Sequence, residues 1–286
     1  MFNLKSESAR GLALSAPASI YVGFLVAAPL VILAVYSLWT QSYVSIDRTL
    51  TIANYREAFT DPLVRHLMIR SILIAAAVTV ATVALAYPIA YFIALKARRK
   101  TLWLLLITIP FWSSYLLRVF AWKLILGFNG VLNSALLGLG LISEPLTFLL
   151  YNEFAVVLTL AHAWAPFAIL PIYVSLQKID PSLLEAANDL GSGAVQRFLR
   201  VTLPLTIPGI IAACLIIFIP TVGDYVTPSL VGGSDGKMIA NLIQVQFGAA
   251  NNWPLGATLS LLAMMSVGFV AILFVLTATG LGRRIK

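Results

Sequence analysis

The feature that most constrains this chain is a series of six apolar stretches, each long enough to cross a lipid bilayer. A membrane-spanning helix needs about 20 predominantly apolar residues. Only 10% of the residues are charged, whereas a soluble domain has about 25%. Lipid must therefore cover much of the surface, and the sequence predicts an all-α integral membrane protein. The predicted spans are Pro17–Trp39, Ser71–Leu95, Leu102–Leu126, Phe154–Leu176, Leu205–Tyr225 and Leu255–Leu281.

The 19 basic residues predict the orientation of these spans. Lys and Arg accumulate in short connections on the cytoplasmic side of a membrane. Both termini and the connections at residues 96–100 and 177–204 fall on one side, which holds twelve bases against five on the other. The remaining two, Arg118 and Lys123, lie inside the third predicted span. Both termini are therefore expected in the cytoplasm, and the net charge of +8 reflects topology rather than nucleic-acid binding. The uncharged residues 11–46 exceed a signal-peptide core, which predicts an uncleaved anchor.

Two outer connections also have recognisable patterns. Residues 54–70 predict an amphipathic helix at the membrane interface. The apolar stretch Met238–Phe247 is too short to span, which favours a re-entrant segment. The lone cysteine, Cys214, lies in the fifth span and is predicted to be a buried, inert thiol.

The connection at residues 177–204 contains clear helix boundary signals. Asp180 suits an N-cap, Pro181 the first helical position and Gly191 the residue after the helix end. Leu183, Ala187 and Leu190 are expected to share one apolar face. A helix this short can dock in a groove of a partner or lie along the membrane surface. A second short helix is predicted from Gly193 to about Thr202.

The same connection carries a spaced motif, which consists of Glu185-Ala186-Ala187, Gly191 and then Val201-Thr202-Leu203-Pro204. It resembles the EAA loop of ABC importer permeases. The resemblance implies a type I permease architecture with a single permease domain over residues 1–286, in a bacterial inner membrane. It also implies three partners, namely an ATP-binding subunit that docks on this loop, a second homologous permease forming a heterodimer, and an extracytoplasmic binding protein. The residues assigned to ATPase coupling are Glu185, Ala186, Ala187, Gly191, Leu203 and Pro204.

Further motifs are similar to the spermidine/putrescine branch of this family. They include Pro110-Phe111-Trp112, the Ile179–Ala187 stretch and Leu203–Ile210. The resemblance implies import of a polyamine. The alternatives are another small organic solute, or, from different classes, a membrane scaffold or sensor and an ATP-independent channel or secondary transporter.

No ATPase motif is found in this chain. The nearest candidate for a phosphate-binding loop, Gly232–Met238, has a misplaced first glycine and methionine in place of Ser or Thr. We therefore expect no catalytic residue, metal or cofactor here, and expect ATP and Mg to be bound by a separate partner subunit.

Charged and aromatic residues near the outer ends of the spans are candidates for the translocation path. Charges inside a membrane are costly and mark functional sites. Arg118 and Lys123 could equally extend to the interface or pair with Glu144 or Glu153, and the aromatic residues could form an interfacial belt. His162 is expected to form an interhelical hydrogen bond. The candidate path residues are Trp112, Tyr115, Arg118, Trp122, Asp224 and Tyr225.

Overall fold

The computed structural model describes residues 7–43 and 45–284, and helices dominate this part of the chain. Two three-residue strands, β1 (Thr40–Ser42) and β2 (Ser45–Asp47), form an antiparallel hairpin after the first helix. The α-helices are α1 (Glu7–Ser37), α2 (Ala53–Thr60), α3 (Pro62–Leu95), α4 (Lys100–Thr108), α5 (Tyr115–Leu126), α6 (Val131–Gly138), α7 (Glu153–Gln177), α8 (Pro181–Asp189), α9 (Ala194–Arg197), α10 (Leu203–Val222), α11 (Ile239–Phe247) and α12 (Trp253–Arg284).

Six helical segments of the described chain are long and apolar enough to cross a membrane, which confirms the predicted all-α class and the number of spans. Five of them coincide with predicted spans, although several extend further at their ends. Of the bases used to predict orientation, Lys5 and Lys286 lie outside the described residues. The segments are Leu14–Ser37, Pro62–Leu95, Tyr115–Gly138, Glu153–Gln177, Ala194–Val222 and Trp253–Ala278.

The prediction of the third span, Leu102–Leu126, was wrong. The chain forms a shorter apolar helix over Lys100–Trp112, and the candidate span is Tyr115–Gly138. Pro110 cannot donate a backbone hydrogen bond, and the helix narrows to a 3-10 turn at this point. Ser113 and the serine that follows it are then extended, with ψ angles of 150° and 136°. Hydropathy is continuous across this break, so composition alone gave no sign of it.

The predicted interfacial helix over residues 54–70 was also wrong in its second half. The short helix α2 ends at Thr60, and α3 begins at Pro62 and continues for 34 residues. Asp61 between them is extended, as expected of a residue before proline, and proline suits the first position of a helix. Residues 62–70 therefore belong to the second span.

The described residues divide into two compact units. One contains the chain up to Pro62 together with Ile243–Leu262, and the other contains Leu63–Leu242 and the chain from Ala263 onward. The expectation of one permease domain over residues 1–286 stays a prediction.

In the first unit, hydrogen bonds converge on the end of α1. The Asn54 side chain donates to the carbonyl oxygens of Ser37 and Trp39, at 3.1 and 2.6 Å. The Thr258 hydroxyl donates to the same Ser37 carbonyl at 3.3 Å. The last carbonyls of a helix have no partner within the helix, so these side chains complete the C-terminus of α1.

In the second unit, α7 packs along α10 and forms the centre of the core. A Cβ atom added to Gly209 would lie 2.6 Å from the Pro171 carbonyl oxygen, so the glycine permits the close approach of these helices. A hydrogen bond of 2.9 Å between the hydroxyls of Tyr87 and Thr206 joins α3 to α10. Large, fully buried core residues include Ile93, Leu126, Leu160, Ile172, Leu176 and Ile217.

Candidate coupling and translocation sites

The start of α8 matches the boundary predicted from the sequence. The Asp180 carboxylate accepts a hydrogen bond of 2.9 Å from the backbone N–H of Ser182. This bond favours the charged form and holds the pKa of Asp180 below its usual value. Pro181 occupies the first helical position, where its missing N–H removes no intrahelical bond. The N-terminus is therefore specified by two adjacent residues.

The end of α8 depends on the backbone conformation of Gly191, whose φ angle is +78°. Its N–H donates to the Asn188 carbonyl at 2.9 Å, and the Ser192 N–H donates to the Ala187 carbonyl at 3.0 Å. This pair of bonds is a Schellman motif, which satisfies carbonyls at the end of the helix. An added Cβ atom at Gly191 would have no atom within 4 Å. The need for glycine is therefore conformational rather than steric.

The exposed apolar face of α8 differs by one residue from the predicted face. Leu183 and Leu190 are 47% and 85% exposed, and Ala186 is exposed between them. Ala187 is partly covered, and Leu184 packs against the core. Because helical neighbours three and four apart share a face, Ala186 joins the two leucines on the outer surface. Glu185 is also exposed.

The helix after α8 is continuous with the fifth span. The predicted short helix from Gly193 to Thr202 consists of α9 followed by a π-helical turn over Phe198–Thr202. Leu203 and Pro204 then form the first turn of α10. Pro204 has no N–H to donate to the carbonyl of Arg200, so the regular α-helical bond is lost at this turn.

A cavity of about 310 Å³ brings together three of the predicted path residues: Tyr115, Arg118 and Asp224. Tyr115 and Arg118 lie three residues apart on α5, so they share one face. Asp224 follows the end of α10. The complete lining comprises Phe111, Tyr115, Arg118, Ala163, Trp164, Phe167, Pro220 and Asp224.

The Asp224 carboxylate is held by hydrogen bonds from two segments. The Tyr115 hydroxyl donates to Oδ2 at 2.6 Å, and the backbone N–H of Val226 donates to Oδ1 at 2.9 Å. The Tyr115 hydroxyl also forms a hydrogen bond with the Thr227 hydroxyl. These contacts fix a negative charge at one side of the cavity.

Arg118 occupies the aromatic side of the same cavity. Its guanidinium carbon lies 4.7 Å from the centre of the Phe111 ring, which is within cation–π range. The Arg118 Nε is buried and has no acceptor among the described residues. Glu153 pairs instead with Arg70 at 3.2 Å, and no ion pair joins Arg118 or Lys123, both described residues, to Glu144 or Glu153. The alternative that Arg118 or Lys123 pairs with Glu144 or Glu153 was therefore wrong.

The remaining path candidates do not line this cavity. Trp112 is 89% exposed and Tyr225 is 46% exposed. The Trp122 indole N–H donates to His162 at 3.1 Å, which confirms the predicted interhelical hydrogen bond between α5 and α7.

Sequence reasoning missed three aromatic residues of the lining: Phe111, Trp164 and Phe167. Phe111 and Phe167 contact edge to face, with ring centroids 4.2 Å apart. The spacing of Trp164 and Phe167 places them on one face of α7. That spacing was a usable signal, but only the fold shows that this face meets Phe111.

These features define a helical membrane protein of six candidate spans, in which one connection carries an exposed, capped helix. The sequence model for the binding-protein-dependent transport system inner membrane component matches residues 9–285, and the chain belongs to this family.

Curated relatives are similar over most of their length. The chain is 36% identical over 230 residues to the spermidine/putrescine transport system permease protein PotB of Escherichia coli (strain K12), covering 80% of this chain and 83% of PotB. It is 38% identical over 213 residues to PotB of Haemophilus influenzae, covering 74% of each protein. It is also 35% identical over 237 residues to the inner membrane ABC transporter permease protein YdcU of E. coli, covering 78% of this chain and 74% of YdcU.

Solved structures show the same fold. A chain of a bacterial ABC transporter involved in import of the acidic polysaccharide alginate superposes with a TM-score of 0.67 at 18% identity, covering 96% of this chain and 95% of that one. A chain of an alginate transporter in complex with an alginate-bound periplasmic protein gives a TM-score of 0.68 at 16% identity, covering 100% and 98%. The predicted ABC importer permease architecture is therefore confirmed.

Proposed function

We propose that this permease moves a polyamine such as putrescine or spermidine across the bacterial inner membrane. Transport would be driven by ATP hydrolysis on a separate subunit, with substrate delivered by an extracytoplasmic binding protein. Support comes from the PotB relatives, whose names specify spermidine and putrescine. ATP and Mg would be bound by the partner subunit, because the chain has no phosphate-binding loop of its own.

The observation that carries the substrate assignment is the combination of a fixed carboxylate with aromatic rings in one cavity. Asp224 offers negative charge, and Phe111, Tyr115, Trp164 and Phe167 offer ring surfaces. Ammonium groups bind to both kinds of surface, and a cation–π contact is worth about 0.5–2 kcal/mol depending on its exposure to water. The alginate importers share the fold at low identity, so they carry no argument about the substrate of this chain.

The geometry of the cytoplasmic connection supports coupling to an ATP-binding subunit. The row formed by Leu183, Ala186 and Leu190 is exposed, and such a row fits a groove on a partner. Movement of this connection would reach the fifth span directly, because α9 and α10 are continuous. It would also reach α3, because the Phe198 ring contacts the ring of Tyr87 with centroids 5.6 Å apart. The proposed coupling residues are Glu185, Ala186, Ala187, Gly191, Leu203 and Pro204.

The proposed orientation places both termini and the 177–204 connection in the cytoplasm. It is tested in intact cells with Ser192→Cys in a Cys214→Ala background, using a thiol reagent that does not cross the inner membrane. We expect labelling only after the membrane is opened. The matched control is Ser234→Cys in the predicted outer connection, which should be labelled in intact cells. Labelling of Ser192→Cys from outside would contradict the orientation.

The function is tested by co-expressing the chain with a second permease, an ATP-binding subunit and a binding protein, and by reconstituting the complex in proteoliposomes. We expect ATP-dependent uptake of radiolabelled putrescine or spermidine and ATPase activity stimulated by the loaded binding protein. Uptake of an anion or a neutral sugar without a response to polyamines would contradict the substrate assignment. Uptake that needs no ATP would indicate a channel or secondary transporter, and assembly without transport would favour a scaffold or sensor.

A further inference from the structure

Arg118 places a positive charge inside the cavity proposed to accept cations. Its backbone is fixed in the first turn of α5, immediately after the break at Ser113. Its side chain is half-buried and lies over the Phe111 ring. A polyamine that entered this cavity would meet a resident cation.

The contacts of Arg118 are weaker than those of an ordinary buried arginine. A guanidinium group has five N–H donors, and arginine is usually held by bidentate pairing with a carboxylate. Here Nε has no acceptor among the described residues, and no described carboxylate lies within 4 Å of the side-chain nitrogens. The ring contact with Phe111 therefore holds the group without help from a carboxylate within 4 Å.

The carboxylate of Asp224 lines the same cavity but is bound by other groups. Its two oxygens accept hydrogen bonds from the Tyr115 hydroxyl and the Val226 backbone N–H. The cavity of about 310 Å³ is at the lower end of the range for small-molecule sites. One cation over an aromatic ring and one separate anion thus share a space suited to a single small group.

We propose that the Arg118 guanidinium is a tethered competitor of the transported cation. It occupies the aromatic part of the cavity between transport cycles, and an incoming ammonium group takes its place over Phe111 beside Asp224. When the cavity rearranges, the return of Arg118 displaces the ammonium group and promotes its release. Arg118 thereby keeps cation binding weak and turnover fast. This inference rests on the proposed function, since it assigns a role within the same path.

The test is cation binding by the complete complex in nanodiscs, without ATP or binding protein, measured by equilibrium dialysis with radiolabelled putrescine as a dication probe. Suppose that the Arg118 side chain is absent from the aromatic part of the cavity in about a tenth of the molecules. Its replacement by a neutral residue then strengthens putrescine binding by about tenfold. We expect this gain for Arg118→Gln, binding close to wild type for Arg118→Lys, and no change for the control Lys123→Gln. Lys123 contacts the Tyr151 ring at 6.0 Å and does not line the cavity.

A second substitution tests whether the tighter binding of putrescine depends on Asp224. Asp224→Asn combined with Arg118→Gln should abolish the tighter binding, and ATP-driven uptake by Arg118→Gln should show a lower KM together with a lower kcat. Arg118→Ala replaces Arg118→Gln if the latter does not co-purify with the ATP-binding subunit. Binding by the neutral variant that is equal to or weaker than wild type overturns the inference, as does a gain that persists with Asp224→Asn. If the wild-type complex imports no polyamine, the proposed function itself fails. Normal polyamine uptake by the wild-type complex without tighter binding by Arg118→Gln overturns the inference alone.

Discussion

The connection that carries α8 and the region around the third span differ in how much of their structure the sequence predicts. The boundaries of α8 were predicted within a residue from Asp180, Pro181 and Gly191. The third span was misplaced, because a break at Ser113 separates α4 from α5. The first case depends on contacts between residues two to five apart. The second depends on the break that begins at Pro110 inside a continuous apolar stretch, and hydropathy is insensitive to such a break. Helix caps and the ends of apolar spans are therefore predicted with different reliability.

We expect the largest effect for Gly191→Val, which tests the predicted end of α8. A β-branched residue at φ +78° is strained by about 1–3 kcal/mol. We therefore expect the backbone at the end of α8 to adopt a different conformation. We expect ATP-driven uptake to fall at least tenfold while membrane insertion and expression persist. The measurement is uptake by proteoliposomes containing the complete complex.

Two neighbouring substitutions control for this effect. Gly191→Asn should retain most uptake, since asparagine tolerates the left-handed region better than other residues. Gly193→Ala should also be tolerated, because Gly193 has a φ angle of −63° and an added Cβ atom would meet nothing within 4 Å. Equal losses for Gly191→Val and Gly191→Asn would show that backbone conformation is not the reason for glycine here.

A comparable loss is expected for Ala186→Asp on the exposed row of α8. A charge placed in a docked apolar face remains without a partner, which costs several kcal/mol when it is fully buried. Uptake and substrate-stimulated ATPase activity should fall together, and the ATP-binding subunit should co-purify poorly. Ala187→Asp should reduce uptake to a similar extent, although Ala187 is partly covered by its own chain. Ser182→Asp at the N-terminus of the helix is the matched control and should be tolerated. Normal uptake by Ala186→Asp would exclude this row from docking.

A smaller effect is expected for Asp224→Asn in the cavity that Asp224 lines together with Arg118. The amide oxygen can still accept the Val226 hydrogen bond, but the negative charge facing the cavity is lost. We expect polyamine uptake to fall by a few fold, because in the proposed function a binding protein supplies most of the selection. Assembly with the ATP-binding subunit should remain intact. Asp235→Asn, in the connection between α10 and α11 beside Ser234, removes a carboxylate of the same type and should leave uptake unchanged. Complete loss of uptake in Asp224→Asn would indicate a larger structural role.

The smallest effect is expected for the N-cap of α8. Because the pKa of Asp180 is lowered, its capping contribution is fully present above the ordinary aspartate value of about 3.9 and is lost as pH falls through the lowered value. Uptake by Asp180→Asn should therefore match wild type from about pH 6 to 8, since asparagine is an equally good cap. Asp180→Ala should lose less than twofold, measured as the initial rate of uptake. A strong pH dependence confined to wild type would show that the charge of Asp180 has another role.

Among the path residues, the sequence selected Tyr115, Arg118 and Asp224 by residue type and position near the ends of spans. It could not separate them from Trp112, which is 89% exposed. Nor could it find Trp164 and Phe167, whose ring contact places them in the lining beside Phe111. Periodicity shows which residues share a face of one helix, but it does not show which faces of different helices meet.

The sequence by itself determined the class of this protein and the ends of α8. A bilayer excludes unpaired backbone groups and most charges, so apolar length translates directly into spanning helices. Capping depends on residues adjacent in the chain, so it can also be read locally. Only the tertiary structure decided that α4 and α5 are separate helices, that Ala186 rather than Ala187 lies on the open face of α8, and that Arg118 shares a cavity with Asp224. The last two depend on packing between segments distant in sequence, which no local pattern specifies, and the first depends on a break at Pro110 that apolar length does not reveal.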